Sequence, residues 1–249
     1  MKKKIVAFML VIAMVAIAAI SGTLAYFTDT DSAINVMTVG NVDIEQIEQE
    51  RGQNGELREF TQDKMLLPMG GAPAWAAEEV TVNGDSFKVF DSENVVDKIV
   101  TVENNGNTDA YVRTIVALEA GDSAGEADDL WQNYIAITDN ADGEKVICED
   151  NKLYVEISGT YYIIVVYTYT DALEAGAKSV ASLTGVALYA ETTQDVVANL
   201  GETYEVLVLS QAVQASDMGD DAGAALDNAF GNVDAENAAD WFEAILPQA

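Results

Sequence analysis

The chain has 249 residues with 42 acidic and 12 basic side chains, and it contains no histidine. That absence excludes a Ser-His-Asp triad, a Cys-His pair and the two-histidine zinc motif of many metalloproteases. A strongly acidic surface repels nucleic acid and anionic lipid, so neither is an expected partner.

Residues 1 to 25 read as a secretory signal peptide. Lys2, Lys3 and Lys4 are followed by an apolar run from Ile5 to Ile20 and by the small polar cluster Ser21, Gly22, Thr23. This is the charged, apolar, small-residue order of an export signal. Thr23 and Ala25 occupy the two small positions of a cleavage site, which places the cut between Ala25 and Tyr26. An uncleaved anchor is the rival reading, but the run is short of the roughly 20 apolar residues that span a bilayer. No stable membrane insertion is expected after the cut. All acidic residues lie beyond Ala25, leaving nine basic against 42 acidic side chains and a net charge of −33 in the remaining 224 residues.

Runs rich in Val, Ile, Tyr and Thr then alternate with turn signals, the pattern of an antiparallel all-β domain. Strands are expected at Asn35 to Ile47, Glu79 to Val82, Val95 to Glu103, Ala110 to Glu119, Lys145 to Ile147 and Leu153 to Ile157. Three more follow at Thr160 to Thr170, Gly185 to Ala190 and Tyr204 to Gln214. Gln49 to Ala77 reads as a long loop or arm. Asn104-Asn105-Gly106-Asn107 and Asp139 to Gly143 mark sharp loops built from residues that tolerate positive φ. Thr160 to Thr170 lacks polar alternation in its middle, which argues for a central strand buried on both faces. Helical patches are expected at Glu126 to Tyr134, Asp221 to Phe230 and Glu236 to Ile245. The last puts Ala239, Phe242, Ile245 and Leu246 on one face, suited to docking on a sheet edge. No repeat or Pro-rich linker divides the chain, so one domain with insertions is expected over residues 26 to 249.

Few chemical motifs are present. Cys148 is the sole cysteine, so no intramolecular disulfide can form, and it reads as a small core residue. Acidic clusters at Asp29 to Asp31, Asp139 to Glu144 and Asp217 to Asp221 have the oxygen-rich character of Ca²⁺ loops, but Ala141 stands where an EF-hand loop needs a ligand. They read as solvated loops. Tyr161, Tyr162, Tyr167 and Tyr169 read as sheet packing rather than a sugar-stacking platform. No catalytic residue, cofactor site or metal site is assigned, and a non-enzymatic protein is expected. The ending Leu246-Pro247-Gln248-Ala249 lacks the parts of a wall-sorting signal.

The stretch Gly22-Thr23-Leu24-Ala25-Tyr26-Phe27-Thr28-Asp29, continued by Asn35-Val36-Met37-Thr38-Val39-Gly40-Asn41-Val42-Asp43-Ile44, resembles the N-terminal signature of the TasA/camelysin family. Val102 to Arg113, with its Asn-Gly loop, is similar to a second family segment. The resemblance implies processing by a signal peptidase of the endoplasmic-reticulum type, a jelly-roll β-sandwich, secretion by a Gram-positive bacterium and assembly into extracellular biofilm fibres. It also implies that the N-terminal segment of one subunit completes the sheet of the next. Tyr26, Phe27, Ala33 and Ile34 would be the apolar anchors of that donor strand, and the segment from Tyr26 to Ile34 would be mobile in a lone subunit. The alternative is that it forms the first strand of its own sheet. The acidic helical tail from Gln211 to Ala249 is closer to clostridial-type members than to the fibre proteins. The camelysin branch has been classed as metalloprotease, and the missing histidines leave no ordinary zinc site for that reading. A monomeric surface adhesin or binding module needs the same exported sandwich and stays open beside the matrix subunit.

Mass spectrometry of the protein recovered from culture medium is expected to find Tyr26 as its first residue. An intact Met1 in the membrane fraction would establish an anchor instead.

Overall fold

A computed structural model describes residues 25–28, 36–52, 54–61, 64–70, 77–82, 84–90, 94–149, 152–200, 203–216 and 221–246. Its central framework is three long neighbouring strands: β10 (Ala110–Glu119), β14 (Thr160–Tyr169) and β16 (Thr203–Gln214), with β10 in the middle and antiparallel to both. On the far side of β14 lie β12 (Val146–Cys148) and β13 (Leu153–Ile157). On the far side of β16 lie β1 (Ala25–Thr28) and β2 (Val36–Val39), and β5 (Lys64–Leu66) pairs beyond β1.

A second layer joins β4 (Leu57–Glu59), β3 (Ile44–Arg51) and β9 (Ile99–Asn104) in that order. A further trio comprises β8 (Val96–Asp97), β15 (Leu183–Leu188) and β11 (Ile135–Asp139), with β15 in the middle. The two trios run on into each other, because the chain entering β15 bonds along β9: Ser179 N–H donates to Val102 O at 2.8 Å and Ser182 N–H to Val100 O at 2.9 Å. A hairpin of β6 (Ala77–Val82) and β7 (Asp85–Phe90) lies on the outer side of this layer, with Phe87 and Val89 buried among Ile99 and Ala181.

The main core fills the space between the layers. Val112, Val116 and Leu118 of β10, Ile163, Val165 and Tyr167 of β14, and Val206 and Val208 of β16 meet Val100, Val102, Leu183 and Val186 of the other layer. The intervening residues point the other way and are buried too: Ile115, Ala117, Ile164, Val166, Leu207 and Leu209 form a second cluster. Successive side chains of a strand face opposite sides, so burial of both sets requires a cover on each face. The second cover is helical. Helices α1 (Ala124–Asn133) and α2 (Gln194–Asn199) lie elsewhere, while α3 (Ala222–Phe230) and α4 (Ala235–Ile245) close the outer face with Leu226, Trp241 and Phe242. This explains the unbroken apolar run in β14.

The helix ends follow ordinary capping chemistry. Ser123 Oγ accepts from Glu126 N–H at 3.3 Å, Asp221 Oδ1 from Ala224 N–H at 2.9 Å and Asp234 Oδ1 from Asn237 N–H at 2.9 Å.

Several sequence expectations need correction. The single strand Asn35 to Ile47 is two strands, because Gly40 adopts φ +89° and turns the chain from β2, on the first layer, to β3, on the second. The arm Gln49 to Ala77 holds the end of β3 together with β4 and β5; these strands are three residues long and carry too little periodicity to be read. β7, β11 and α2 were likewise not expected. The Asn104 to Asn107 loop is present, but no residue in it has positive φ. It is tied instead by Asn104, whose Nδ2 donates to Thr108 O and to Leu173 O, both at 2.9 Å, and whose Oδ1 accepts from Gly106 N–H. A Cβ at Gly106 would sit 3.2 Å from Asp43 N, so the glycine serves a close approach.

Arg113 fastens the outer cover. Its side chain is 2% exposed; Nε donates to Gln211 Oε1 at 2.6 Å, Nη1 to Asp227 Oδ1 at 2.6 Å and Nη2 to Gly231 O at 3.0 Å. The guanidinium also lies 5.3 Å from the Trp241 ring centroid. Burial pushes its pKa down and the Asp227 carboxylate opposes that. Removing the carboxylate leaves a buried cation without its counter-ion, which costs about 3–5 kcal/mol in fully buried pairs. Since Asp227 is itself 41% exposed, Asp227→Ala is expected to lower stability by about 2–3 kcal/mol, measured by urea unfolding.

Candidate functional site: the seat of the N-terminal strand

The β16 edge facing away from β10 receives two short parallel strands from the start of the chain. Tyr26, Phe27 and Thr28 pair with Thr203, Tyr204 and Glu205, and Val36 to Val39 pair with Ser210 to Val213. Eight positions separate Thr28 from Val36 while their partners Glu205 and Ser210 are five apart, so the intervening chain carries three residues more than a continuous strand would need. On its other side β1 is antiparallel to β5, with Ala25 opposite Leu66 and Phe27 opposite Lys64. Ala25 to Thr28 therefore lie in a slot between two strands that do not otherwise touch in the sheet order.

The predicted residues fall unevenly on this slot. Ala25 and Tyr26, expected to flank the cut, and Phe27, expected as a donor anchor, are all in β1. Ala33 and Ile34 lie outside the described residues, as do Met1 to Leu24. In the single chain β1 pairs within its own sheet, as a strand separate from β2.

At the β16 end of the slot sits a cluster that the sequence did not reveal. Glu119 Oε2 accepts from Glu205 N–H at 2.7 Å, extending the β10–β16 ladder by a side chain, and Tyr162 Oη donates to Glu205 Oε2 at 2.5 Å. Tyr204, fully buried, adjoins them. Burial raises the Glu119 pKa to about 7; the Glu205 amide opposes the rise and the Glu205 carboxylate adds to it. Burial and the bond to Glu205 raise Tyr162 as well. Glu119, Tyr162 and Glu205 lie 43 or more residues apart in the chain. Only strand register brings them together. Both carboxylates are occupied in fastening β16, so the arrangement secures an edge rather than presenting an acid and a base to a substrate.

Other candidate residues take structural parts. Tyr162, Tyr167 and Tyr169 are buried and Tyr161 packs half-buried on the main core, so the tyrosines form no exposed platform. Tyr167 Oη donates to Asp139 Oδ2 at 3.3 Å, and burial raises the pKa of both groups. Asp142 Oδ1 accepts from Glu144 and Lys145 N–H at 2.8 and 2.7 Å, which turns the 139–144 loop and holds its pKa down. Asp221 caps α3, while Asp29 to Asp31 and residues 217–220 lie outside the described residues. Cys148 is half-buried against the core, with Lys152 Nζ 3.7 Å from its sulfur. Among the described residues no group of three or more His, Cys, Asp or Glu side chains is placed to hold a metal ion, and no helix is long and apolar enough to cross a membrane.

No family model, curated protein or solved structure matches this chain.

The raised Glu119 pKa makes stability depend on pH. With a folded value near 7 against an ordinary 4.5, the folded state binds the extra proton between those values, so stability falls as pH rises through that window and levels above it. Glu119→Gln keeps an acceptor for Glu205 N–H and removes the charge. It is expected to abolish that contribution to the slope and to raise the melting temperature at pH 8 by about 2–4 °C, read from thermal melts of both proteins at pH 5 and pH 8.

Proposed function

We propose that this protein is a secreted, non-enzymatic structural subunit of extracellular matrix fibres at the surface of a Gram-positive bacterium, with a jelly-roll-like sandwich that assembles by donating its N-terminal strand. One observation carries the reading. β1 is held through main-chain pairing in a slot between β16 and β5. Such pairing is indifferent to which chain supplies the strand, since the hydrogen bonds are made by the backbone. The extra residues between Thr28 and Val36 supply slack for an exchange of β1 between neighbours while β2 stays on its own β16. A head-to-tail exchange of this kind does not close on itself and grows as an open filament.

The acidic surface suits the same reading. A net charge of −33 beyond Ala25 keeps subunits apart by repulsion, so association depends on one specific strand rather than on general stickiness. Signal peptidase is then a partner during export and a second copy of the chain is the partner afterwards.

Electron microscopy of the purified protein is expected to show filaments. Deletion of Tyr26 to Ser32 is expected to abolish them, and an excess of a peptide spanning Tyr26 to Ile34 to shorten those of the intact protein. Dispersed particles at every concentration, or filaments that survive the deletion, would overturn strand donation.

A further inference from the structure

The outer side of the second layer carries an open cleft of about 460 Å³ between the β6–β7 hairpin, the outward residues of β3 and β9, and the loop after β11. That volume lies within the about 300–1,000 Å³ typical of small-ligand sites. None of its lining residues belongs to β1, β5 or β16, the strands of the slot.

The distribution of positive charge singles this cleft out. Of the nine basic residues beyond Ala25, Arg51, Arg58, Lys98 and Arg113 are in ion pairs with Asp97, Glu50, Glu48 and Asp227. Lys152 donates to Glu149 O at 2.7 Å, and the side chain of Lys64 is not described. The remaining three, Lys88, Lys145 and Lys178, all line the cleft. They come from β7, from the loop after β11 and from the segment before β15, so the fold gathers them from three separate parts of the chain. Lys178 is engaged, with Nζ 3.6 Å from Asp85 and 3.4 Å from Gln49 Oε1. Among the described residues Lys88 and Lys145 form no close ion pair, although Lys88 stands opposite Glu79 in the β6–β7 register and acts electrostatically on Asp139, in a chain with more than three acids for every base.

The rest of the lining defines what those ammonium groups would meet. Gln49, Ser86, Asn140 and Ser179 present amides and hydroxyls. Thr101 also lines the cleft; it is 5% exposed and its hydroxyl has no hydrogen-bond partner in the protein. Glu79, Asp85 and Asp142 match the three lysines in number, which disfavours a polyanion such as nucleic acid or polyphosphate. The combination calls for a ligand with one negative group, for Lys88 and Lys145, and several hydroxyls, to donate to carboxylates and exchange bonds with the amides and hydroxyls.

We infer that this cleft is a binding site for an acidic saccharide, a sugar unit bearing a single carboxylate beside its hydroxyls, seated between Lys88 and Lys145. Lys178, tethered to Asp85, holds the hairpin over the site. The inference does not depend on strand donation, since it concerns a separate face of the chain.

Titration calorimetry of the purified protein with galacturonate tests it. Binding is expected, and Lys88→Gln or Lys145→Gln is expected to weaken it by about fivefold each, near the upper range for a solvent-accessible ion pair. Both lysines are exposed, so the variants should melt close to the parent protein. Added salt should weaken binding by screening. The outcomes that overturn the site are no heat at millimolar galacturonate, or affinity unchanged in both variants. Cellobiose binding equally well would remove the role of the charge, and acetate or phosphate binding equally well would remove the role of the sugar; either result overturns the assignment.

Discussion

Two adjacent rungs of the β10–β16 ladder hold the three layers of this protein together. On the outer face Arg113 pairs across the ladder with Gln211 and reaches Asp227 and Gly231 in the helical cover. On the inner face the next rung pairs Thr114 with Ser210, whose hydroxyl donates to Gln46 Oε1 at 2.7 Å, while Gln46 Nε2 donates to Val208 O at 3.3 Å. A buried polar group without a partner costs more than a satisfied one contributes. These rungs are therefore stable only when α3 lies on one side and β3 on the other. Apolar packing alone tolerates sliding of the layers; a fixed set of donors and acceptors does not.

The same logic governs the second layer, where buried charge rather than apolar area sets the register of short strands. Glu50, 2% exposed, binds Arg58 across the β3–β4 pair and accepts from the Thr61 hydroxyl at 3.2 Å. Arg51 reaches Asp97 through two nitrogens at 2.5 and 2.8 Å, a bidentate geometry that constrains orientation as well as distance. Lys98, fully buried, meets Glu48 and lies 4.5 Å from the Phe60 ring centroid. Four of the nine basic residues beyond Ala25 are thus committed to holding strands or helices in place, and this is what makes the gathering of three others around one cleft informative.

Edge and face divide the surface of the molecule between two kinds of recognition. The β16 edge recognises β1 and β2 through main-chain groups, which any strand of suitable length can pair. The hairpin cleft offers side chains, which discriminate charge and hydroxyl pattern. In the proposed filament, a subunit using the edge for its neighbours would leave the cleft open, so the proposed assembly and ligand binding would not compete for the same surface.

Composition, hydrophobic pattern and a few turn residues were enough to read the β-rich class, the three long strands and the three main helices. Ala110 to Glu119 and Leu153 to Ile157 have the same bounds in sequence and structure, because turn residues stand close by: Asp109 before and Gly121 shortly after the first, Ser158-Gly159 directly after the second. The two-sided burial of β14 was legible from its lack of polar alternation. Strands of three residues were not legible, since they are shorter than the roughly four to eight positions over which alternation distinguishes strand from loop, and the break at Gly40 rests on a positive φ that the fold imposes. Tyr26 and Phe27 of the slot were named from the sequence, but neither the carboxylate cluster beside it nor the cleft could be read. Glu119, Tyr162 and Glu205 meet through strand register, and Lys88, Lys145 and Lys178 through the folding of a hairpin over a sheet. Residues dozens of positions apart carry no local pattern that announces their meeting, so the tertiary structure alone decides which charges lie together.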